Sequence, residues 1–320
     1  MKKWINKGNK PTRHGFGEGV LKAAETNPNV IGLGVDITGS VSMNYFAEKF
    51  PERFYSLGVA EQNAVGVAAG LALSGKTPVF STYGVFSALR DADQVRISVC
   101  YNDVHVIIGG AHAGISVGPD GATHQALEDI SIMRTLPNMT VLSACDAFQA
   151  REATIYAINE LQGPAYIRFG REAVPQFMDE SYPFEFGKAQ KLTEGNDITI
   201  FATGHMTWEA LQAADILQKS NIGARVINIH TIKPIDKEAI IKAARETKAA
   251  LTIEEHQING GFGSAVCEVL SENHPTWVKR IGMPDTFGES GKPAELMEKY
   301  GLVAENIATQ ARQLLQQIVD

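Results

Sequence analysis

The residue of this sequence best suited to move a proton is a glutamate that precedes a run of small residues. Glu61 follows the segment 53–60 and leads directly into a predicted helix that contains Gly66 and Gly70. A helix of small residues can approach another backbone closely, so we expect Glu61 to enter a packed interface rather than open solvent. A carboxyl group kept from water favours its neutral form and can then act as a general acid and base. The structural alternative is that Glu61 only stabilises the amino end of its helix.

Two aromatic residues stand three positions apart after a later predicted strand. Tyr83 and Phe86 lie between the apolar run 77–80 and the charged segment 90–96. Aromatic residues at a junction between a strand and a helix are most often part of the core. On a binding face, the same pair would stack on a flat heterocycle.

A glycine-rich segment, residues 112–125, carries two histidines and an aspartate. His112 and His124 are twelve positions apart, and Asp120 lies between them. The glycines predict a loop that can wrap a small polar molecule. No helical ligand pair and no fourth ligand accompany the histidines, so we expect no metal site here.

Four further polar residues stand at predicted ends of helices or strands. Arg13 precedes the first helix, Asp36 and Ser40 follow the first strand, and Arg171 follows the strand that ends near residue 169. Each of them alone is typical of a solvated loop. In a doubly wound sheet they would lie on one side, where ligands gather.

The elements that must position these residues alternate along the whole chain. Strands are predicted at 30–35, 77–80, 104–108, 140–143 and 165–168, and in a second series at 198–202, 224–229 and 250–254. Helices of the second series are predicted at 207–220, 236–247 and 263–273. This alternation indicates βαβ units and parallel sheets. Because the pattern lapses between 169 and 195, we expect a surface linker there. The prediction is two doubly wound α/β domains, at 1–180 and at 190–320, the second of them smaller.

Composition excludes several classes of protein. The formal net charge of -7 over 320 residues offers no basic stripe for nucleic acid or for an anionic membrane. No apolar run approaches about 18 residues, so neither a membrane span nor a signal peptide is expected. The three cysteines, Cys100, Cys145 and Cys267, are too widely spaced for a disulfide framework or a cysteine zinc site. A reducing cytoplasm fits this cysteine usage best.

From about residue 11 to its end, and through these motifs, the sequence resembles the C-terminal two-thirds of transketolase. The resemblance implies thiamine diphosphate as the cofactor. The family's glutamate that matches Glu61 hydrogen-bonds N1′ of the aminopyrimidine and activates the cofactor. Tyr83 and Phe86 match the aromatic residues that sandwich this ring, with Tyr83 in place of the commoner Phe, and Asp36 matches a residue beside the cofactor.

The resemblance also implies a site for sugar phosphates. Asp120 and His124 match residues that contact hydroxyl groups of the sugar donor. Guanidinium groups suit a phosphate by geometry and by charge. The positions that hold the sugar phosphate are matched by Arg13, Ser40, His112 and Arg171. Ala113 stands where many transketolases carry Asp, which leaves the donor preference open.

One part of the family's active site has no counterpart in this sequence. The family anchors the diphosphate through Mg²⁺ or Ca²⁺, held by a Gly-Asp-Gly motif and a later Asn. No Gly-Asp-Gly occurs here, and the first predicted strand already begins at Val30. We therefore expect the metal and the diphosphate to be held by a partner, an N-terminal transketolase subunit that carries Gly-Asp-Gly. Paired heterodimers are the assembly that the resemblance implies.

Three alternatives stay open. A 1-deoxyxylulose-5-phosphate synthase shares the Asp-Gly-x-Thr-His segment, but its usual form is one long chain. The β chain of a 2-oxo acid dehydrogenase is a separate subunit of similar size, but a small oxo acid does not need the phosphate-binding set. The chain could also be a non-catalytic scaffold, against which stand Glu61 and both aromatic residues.

Overall fold

The computed structural model describes residues 3–319, in which strands and helices alternate as the sequence predicts. The strands are β1 (Asn9–Pro11), β2 (Val30–Gly34), β3 (Phe54–Ser56), β4 (Thr77–Tyr83), β5 (Ile107–Ala111), β6 (Thr140–Ser143), β7 (Ala165–Arg168), β8 (Ala173–Pro175), β9 (Gln190–Lys191), β10 (Ile198–Ala202), β11 (Ala224–Asn228), β12 (Thr231–Lys233), β13 (Ala249–Gln257) and β14 (Val278–Met283). The α-helices are α1 (Thr12–Thr26), α2 (Asn44–Lys49), α3 (Glu61–Leu73), α4 (Ala92–Gln94), α5 (Asp129–Thr135), α6 (Ala147–Asn159), α7 (Met206–Gln218), α8 (Lys237–Arg245), α9 (Phe262–Asn273), α10 (Pro293–Lys299) and α11 (Ala304–Val319). Tighter or wider helical turns occur at Pro51–Arg53 and Ile115–Asp120 (3₁₀) and at Phe86–Arg90 and Val95–Tyr101 (π).

The larger sheet places the carboxyl ends of its central strands along one edge. Its order across the described residues is β12-β6-β7-β5-β4-β2-β3, and every neighbouring pair is parallel except β12 with β6. Loops that follow parallel strands meet at the same edge, which is where ligands bind in folds of this kind.

Alternating apolar residues on the strands bury both faces of this sheet. Val79 packs in one buried cluster with Phe16 of α1, while the next residue, Phe80, packs in another with Val65 of α3. All four side chains are fully buried. Burial of each stabilises the fold by about 1.5–3 kcal/mol. Helices therefore cover both faces, as a doubly wound sheet requires.

The second sheet repeats this plan on a smaller scale. Its order is β14-β13-β10-β11-β9, parallel except where β9 meets β11. Ile200 packs with α7 and α11 on one face, and Phe201 packs with α8 and α9 on the other. The prediction of two α/β units with mainly parallel sheets is confirmed.

The two units share more than a linker. The edge strand β12 comes from the second half of the chain but pairs with β6 of the first sheet. One buried cluster also runs without a break from Val65 of α3 to Val266 of α9.

The segment expected to run over the surface is partly buried. Phe177 and Met178 pack in the core of the second unit together with Trp4, and β8 pairs with β1. The surface assignment is therefore wrong for these residues, because their apolar side chains bind the start of the chain to the second unit.

Candidate active site

The candidate catalytic carboxylate lies at the first residue of α3. The residue Glu61 is buried, with 4% of its surface exposed, and its Oε1 accepts a 2.7 Å hydrogen bond from Nη1 of Arg90. Gly66 and Gly70 lie on the outer face of the same helix, and no atom comes within 4 Å of a Cβ built at either position. Glu61 is thus packed within this chain, while the glycine face is open to a neighbour.

Arg90 joins this carboxylate to one of the two aromatic residues. Its guanidinium carbon lies 4.0 Å from the centre of the Phe86 ring, in the range of a cation–π contact. Phe86 and Arg90 begin and end a single π-helical turn, which allows the arginine to fold back over the ring. Gln62 donates a 2.9 Å hydrogen bond to the Arg90 carbonyl and fixes this turn against α3.

Four rings lie close together beside the Glu61–Arg90 ion pair, at the end of β4. The Tyr83 ring lies 5.9 Å from Phe86 and 4.2 Å from His112 between centroids. The His124 ring stands 5.8 Å from Tyr83 and 5.5 Å from Phe86. Tyr83 and Phe86 are only half-buried. They are therefore available to a ligand rather than sealed in the core.

His112 marks the cationic end of this cluster. Its side chain is buried, its φ is 53°, and its Nδ1 has no hydrogen-bond partner among the described residues. Burial, together with the charges of Arg13, Arg171 and His124, lowers the pKa of His112 to about 3. Its imidazole is therefore neutral at physiological pH, and it lies among cationic groups that were predicted to share one site.

The two arginines of this end differ in what they contact. Arg13 donates a 3.0 Å hydrogen bond from Nη1 to the backbone carbonyl of Ser40, and its buried Nε has no partner among residues 3–319. Arg171 donates from Nη1 to Asp120 Oδ1 at 3.1 Å and to the Val117 carbonyl at 3.2 Å. The structure thus brings all four predicted phosphate-binding residues and Asp120 to one end of the cluster.

Asp36 is held at a different point of the same sheet edge. Its φ is 67°, and its Oδ1 accepts a 3.3 Å hydrogen bond from the Ser56 hydroxyl at the end of β3. No hydrogen bond in the described part of the chain links Asp36 to the ring cluster.

A residue that carried no predicted role supports the loop 112–125. Glu255 of β13 is buried, and its Oε1 accepts a 2.5 Å hydrogen bond from the Ser116 backbone N–H. Its Oε2 lies 3.2 Å from Nε2 of His205. A Cβ at Gly114, whose φ is 87°, would overlap the Glu255 carboxyl group. The second unit therefore holds this loop in place.

The structure adds two negative findings for the described residues. No group of three His, Cys, Asp or Glu side chains within 3–319 is arranged to hold a metal ion. No helix in that range is long and apolar enough to cross a membrane.

Two family models account for nearly the whole chain. The transketolase pyrimidine-binding domain matches residues 9–176, and the transketolase C-terminal domain matches residues 187–307. This chain belongs to the transketolase family. The resemblance stated from the sequence is thereby confirmed.

Two relatives of this transketolase-family chain have a similar length and are described as a C-terminal section and as a subunit of a transketolase. A transketolase C-terminal section of Methanocaldococcus jannaschii is 43% identical over 302 residues, which are 93% of this chain and 94% of the relative. A 6-deoxy-6-sulfo-D-fructose transketolase subunit of Clostridium sp. strain MSTE9 is 41% identical over 295 residues, which are 92% of this chain and 91% of that subunit. A solved structure described as a split gene transketolase, inactive beta4 tetramer, is 44% identical with a TM-score of 0.89, covering 96% of this chain and 98% of that one.

Other relatives are longer than this chain. The 1-deoxy-D-xylulose-5-phosphate synthase of Heliobacterium modesticaldum is 39% identical over 93% of this chain, but this chain covers only 46% of that protein. Similarity alone therefore does not separate ketol transfer from synthase activity.

Proposed function

We propose that this chain is the C-terminal subunit of a thiamine-diphosphate-dependent transketolase, which transfers a two-carbon ketol unit from a ketose phosphate to an aldose phosphate. One observation carries the proposal: a buried carboxylate beside an aromatic pair adjoins a cluster of cationic groups. Tyr83 connects the two halves, because its ring lies 5.9 Å from Phe86 and 4.2 Å from His112. A cofactor ring at Glu61 and a phosphate near His112 would therefore flank one reaction centre.

The residues at the carboxylate end fit the aminopyrimidine of the cofactor. Glu61 offers a buried carboxyl group that can give a proton to a ring nitrogen, and Tyr83 and Phe86 offer half-buried faces for stacking. Asp36 would lie beside the cofactor. Bound thiamine diphosphate would supply the nucleophilic carbon that attacks the ketose carbonyl. The role of Glu61 would be to hold and return a proton at N1′ of the ring.

The residues at the cationic end fit a sugar phosphate. Arg13 and Arg171 bring guanidinium groups, and the unpartnered Nε of Arg13 is a free donor for a phosphate oxygen. Ser40 would complete the phosphate site. The neutral imidazole of His112 would donate a hydrogen bond to the phosphate without adding charge.

Two residues between these ends would orient the sugar. Asp120 accepts a hydrogen bond from Arg171, and Thr123 Oγ1 lies 2.9 Å from Nδ1 of His124. On substrate binding, Asp120 and His124 would turn these polar atoms to the donor hydroxyls. Ala113, beside His112, offers no carboxylate of its own to the donor.

The diphosphate end of the cofactor belongs to a partner in this proposal. An N-terminal transketolase subunit with a Gly-Asp-Gly motif would hold Mg²⁺ or Ca²⁺ and the diphosphate, and two such heterodimers would pair. The open glycine face of α3 supports a close neighbour, as do the exposed side chains of Val59 (73%) and Leu73 (69%) at either end of it. We place the enzyme in cytoplasmic pentose phosphate metabolism.

The decisive experiment is reconstitution. This chain should co-purify with a coexpressed chain that carries Gly-Asp-Gly, and with thiamine diphosphate and Mg²⁺ the pair should convert xylulose 5-phosphate and ribose 5-phosphate. This chain alone should show no turnover. In the complex, Glu61→Gln should lower kcat by about 10²- to 10⁴-fold. Turnover by the chain alone would contradict the need for a partner.

The same assay separates the alternatives. Product from pyruvate and glyceraldehyde 3-phosphate would identify a 1-deoxyxylulose-5-phosphate synthase instead. Because one relative is a sulfofructose transketolase subunit, 6-deoxy-6-sulfofructose should be included as a donor. Unchanged turnover of Glu61→Gln and Glu61→Ala would indicate a non-catalytic scaffold.

A further inference from the structure

The guanidinium of Arg90 lies where the proposed cofactor ring should lie. It donates to Glu61 Oε1 at 2.7 Å, and its carbon atom is 4.0 Å from the centre of the Phe86 ring. These are the two kinds of contact, a hydrogen bond to the carboxyl group and stacking on the ring, that the aminopyrimidine would need. A flat cation and a flat heterocycle cannot occupy the same face together.

The contact with Arg90 also decides which hydrogen bonds the carboxyl group makes. A guanidinium has donors only, so at 2.7 Å it occupies Oε1 of Glu61 as an acceptor. A carboxylate can only accept hydrogen bonds, whereas the proposed role of Glu61 requires it to carry a proton. The contact therefore keeps Glu61 out of its proposed working state.

Arg90 can leave without disturbing the core. Its side chain is 42% exposed, in contrast to 5% for Glu61. Its backbone is held separately, through the hydrogen bond from Gln62 to the Arg90 carbonyl. Rotation of the side chain into solvent therefore frees both Glu61 and Phe86 and leaves the π-helical turn in place.

We propose that Arg90 is a placeholder for the cofactor ring: it pairs with Glu61 and is displaced when the aminopyrimidine enters. This inference rests on the proposed function, because it assumes that the ring binds between Glu61 and Phe86. Arg90 keeps a buried carboxylate satisfied until the cofactor arrives, and the exchange weakens cofactor binding by the strength of the ion pair that is lost.

The test measures cofactor affinity directly in the complex with the N-terminal subunit. Isothermal titration calorimetry with thiamine diphosphate and Mg²⁺ should give a Kd roughly tenfold lower for Arg90→Ala than for wild type, because the competing charged hydrogen bond is gone. Arg96→Ala is the matched control, an exposed arginine in the next π-helical turn, and its Kd should not change. Arg90→Gln keeps a hydrogen-bond donor but not the positive charge, so its Kd should lie between those of Arg90→Ala and the wild type.

Three results are informative. A lower Kd for Arg90→Ala with an unchanged Arg96→Ala supports the placeholder. An equal or higher Kd for Arg90→Ala and Arg90→Gln, with native circular dichroism and normal subunit association, overturns it and shows that Arg90 does not compete with the ring. If the wild-type complex binds no thiamine diphosphate, the proposed function itself fails, and the placeholder fails with it.

Discussion

A buried aspartate beside the candidate site should make the stability of this chain depend on pH. Asp91 is fully buried, and neither carboxylate oxygen has a hydrogen-bond partner among the described residues. Burial, and after it the charge of the nearby Glu61, raises the pKa of Asp91 to about 7, although the charge of Arg90 acts in the opposite direction. Asp91→Asn keeps the size and polarity of the side chain but removes the charge.

Because the pKa of Asp91 is raised in the folded chain, the stability of the chain should fall as the pH rises. Below pH 3.8, the ordinary pKa, the carboxyl group is neutral in both the folded and the unfolded chain and costs no charge burial. As the pH rises towards 7, the unfolded chain releases its proton first, so the folded state loses stability until the folded pKa is passed. A difference of about three pKa units corresponds to about 4 kcal/mol, which is the upper limit of the effect.

Urea unfolding followed by circular dichroism measures this difference. At pH 8.5, Asp91→Asn should raise the free energy of unfolding by up to about 4 kcal/mol over wild type, and at pH 4 by much less. The control is Asp93→Asn, an exposed neighbour that should change stability by less than about 0.5 kcal/mol at both pH values. Equal or lower stability of Asp91→Asn at pH 8.5 would refute the reasoning, since it would mean that the ionised carboxylate is stabilised in the folded chain.

Substitutions at three further residues test the loop, the second unit and the proposed phosphate site. Gly114→Ala should destabilise the chain by at least about 2 kcal/mol in thermal unfolding, because φ is 87° and the new Cβ meets the Glu255 carboxyl group; an unchanged melting temperature would mean that the loop adapts. Glu254→Ala should lower the free energy of unfolding in urea by about 1–3 kcal/mol, because Glu254 accepts hydrogen bonds at 2.6 and 2.8 Å from two backbone N–H groups at the start of α9. Glu254→Gln should lower it less. In the reconstituted complex, Arg171→Lys should raise KM for the ketose phosphate about tenfold and change kcat little, and an unchanged KM would remove Arg171 from the phosphate site.

The sequence predicted the bounds of a strand correctly for three short runs that contain β-branched residues. The bounds of β6, β7 and β10 agree with the sequence-based expectation at both ends. The strand predicted at 104–108 lies at 107–111 in the structure, three residues later. The glycines Gly109 and Gly110 are typical of a loop, so the predicted strand ended before them. In the structure they are strand residues that leave room for neighbours: a Cβ at Gly109 would lie 2.6 Å from the Ser81 hydroxyl, and one at Gly110 would overlap Tyr166.

The contacts between side chains of the candidate site could not be predicted in the same way. Motifs placed Glu61, Phe86 and His112 at the ends of strands and helices, and the sheet topology then brings those ends together. The pair of Glu61 with Arg90 spans 29 positions and that of Ser116 with Glu255 spans 139. No local pattern specifies such pairs. The strand was predicted to end at residue 254, whereas β13 extends to Gln257 and therefore buries the carboxylate of Glu255, which then needs a partner elsewhere.

The two ends of the candidate site are prepared for ligands in opposite ways. At the cationic end, Arg13 Nε and His112 Nδ1 are buried without partners among the described residues, so an incoming anion would satisfy groups that are already desolvated. At the carboxylate end, Arg90 already satisfies Glu61, so a ligand there must replace an existing ion pair. The first arrangement strengthens binding and the second weakens it. In the proposed enzyme, a phosphate can therefore bind without breaking an existing contact, whereas the cofactor must first break the ion pair between Arg90 and Glu61. Cofactor binding is thus the step that a partner subunit must make favourable.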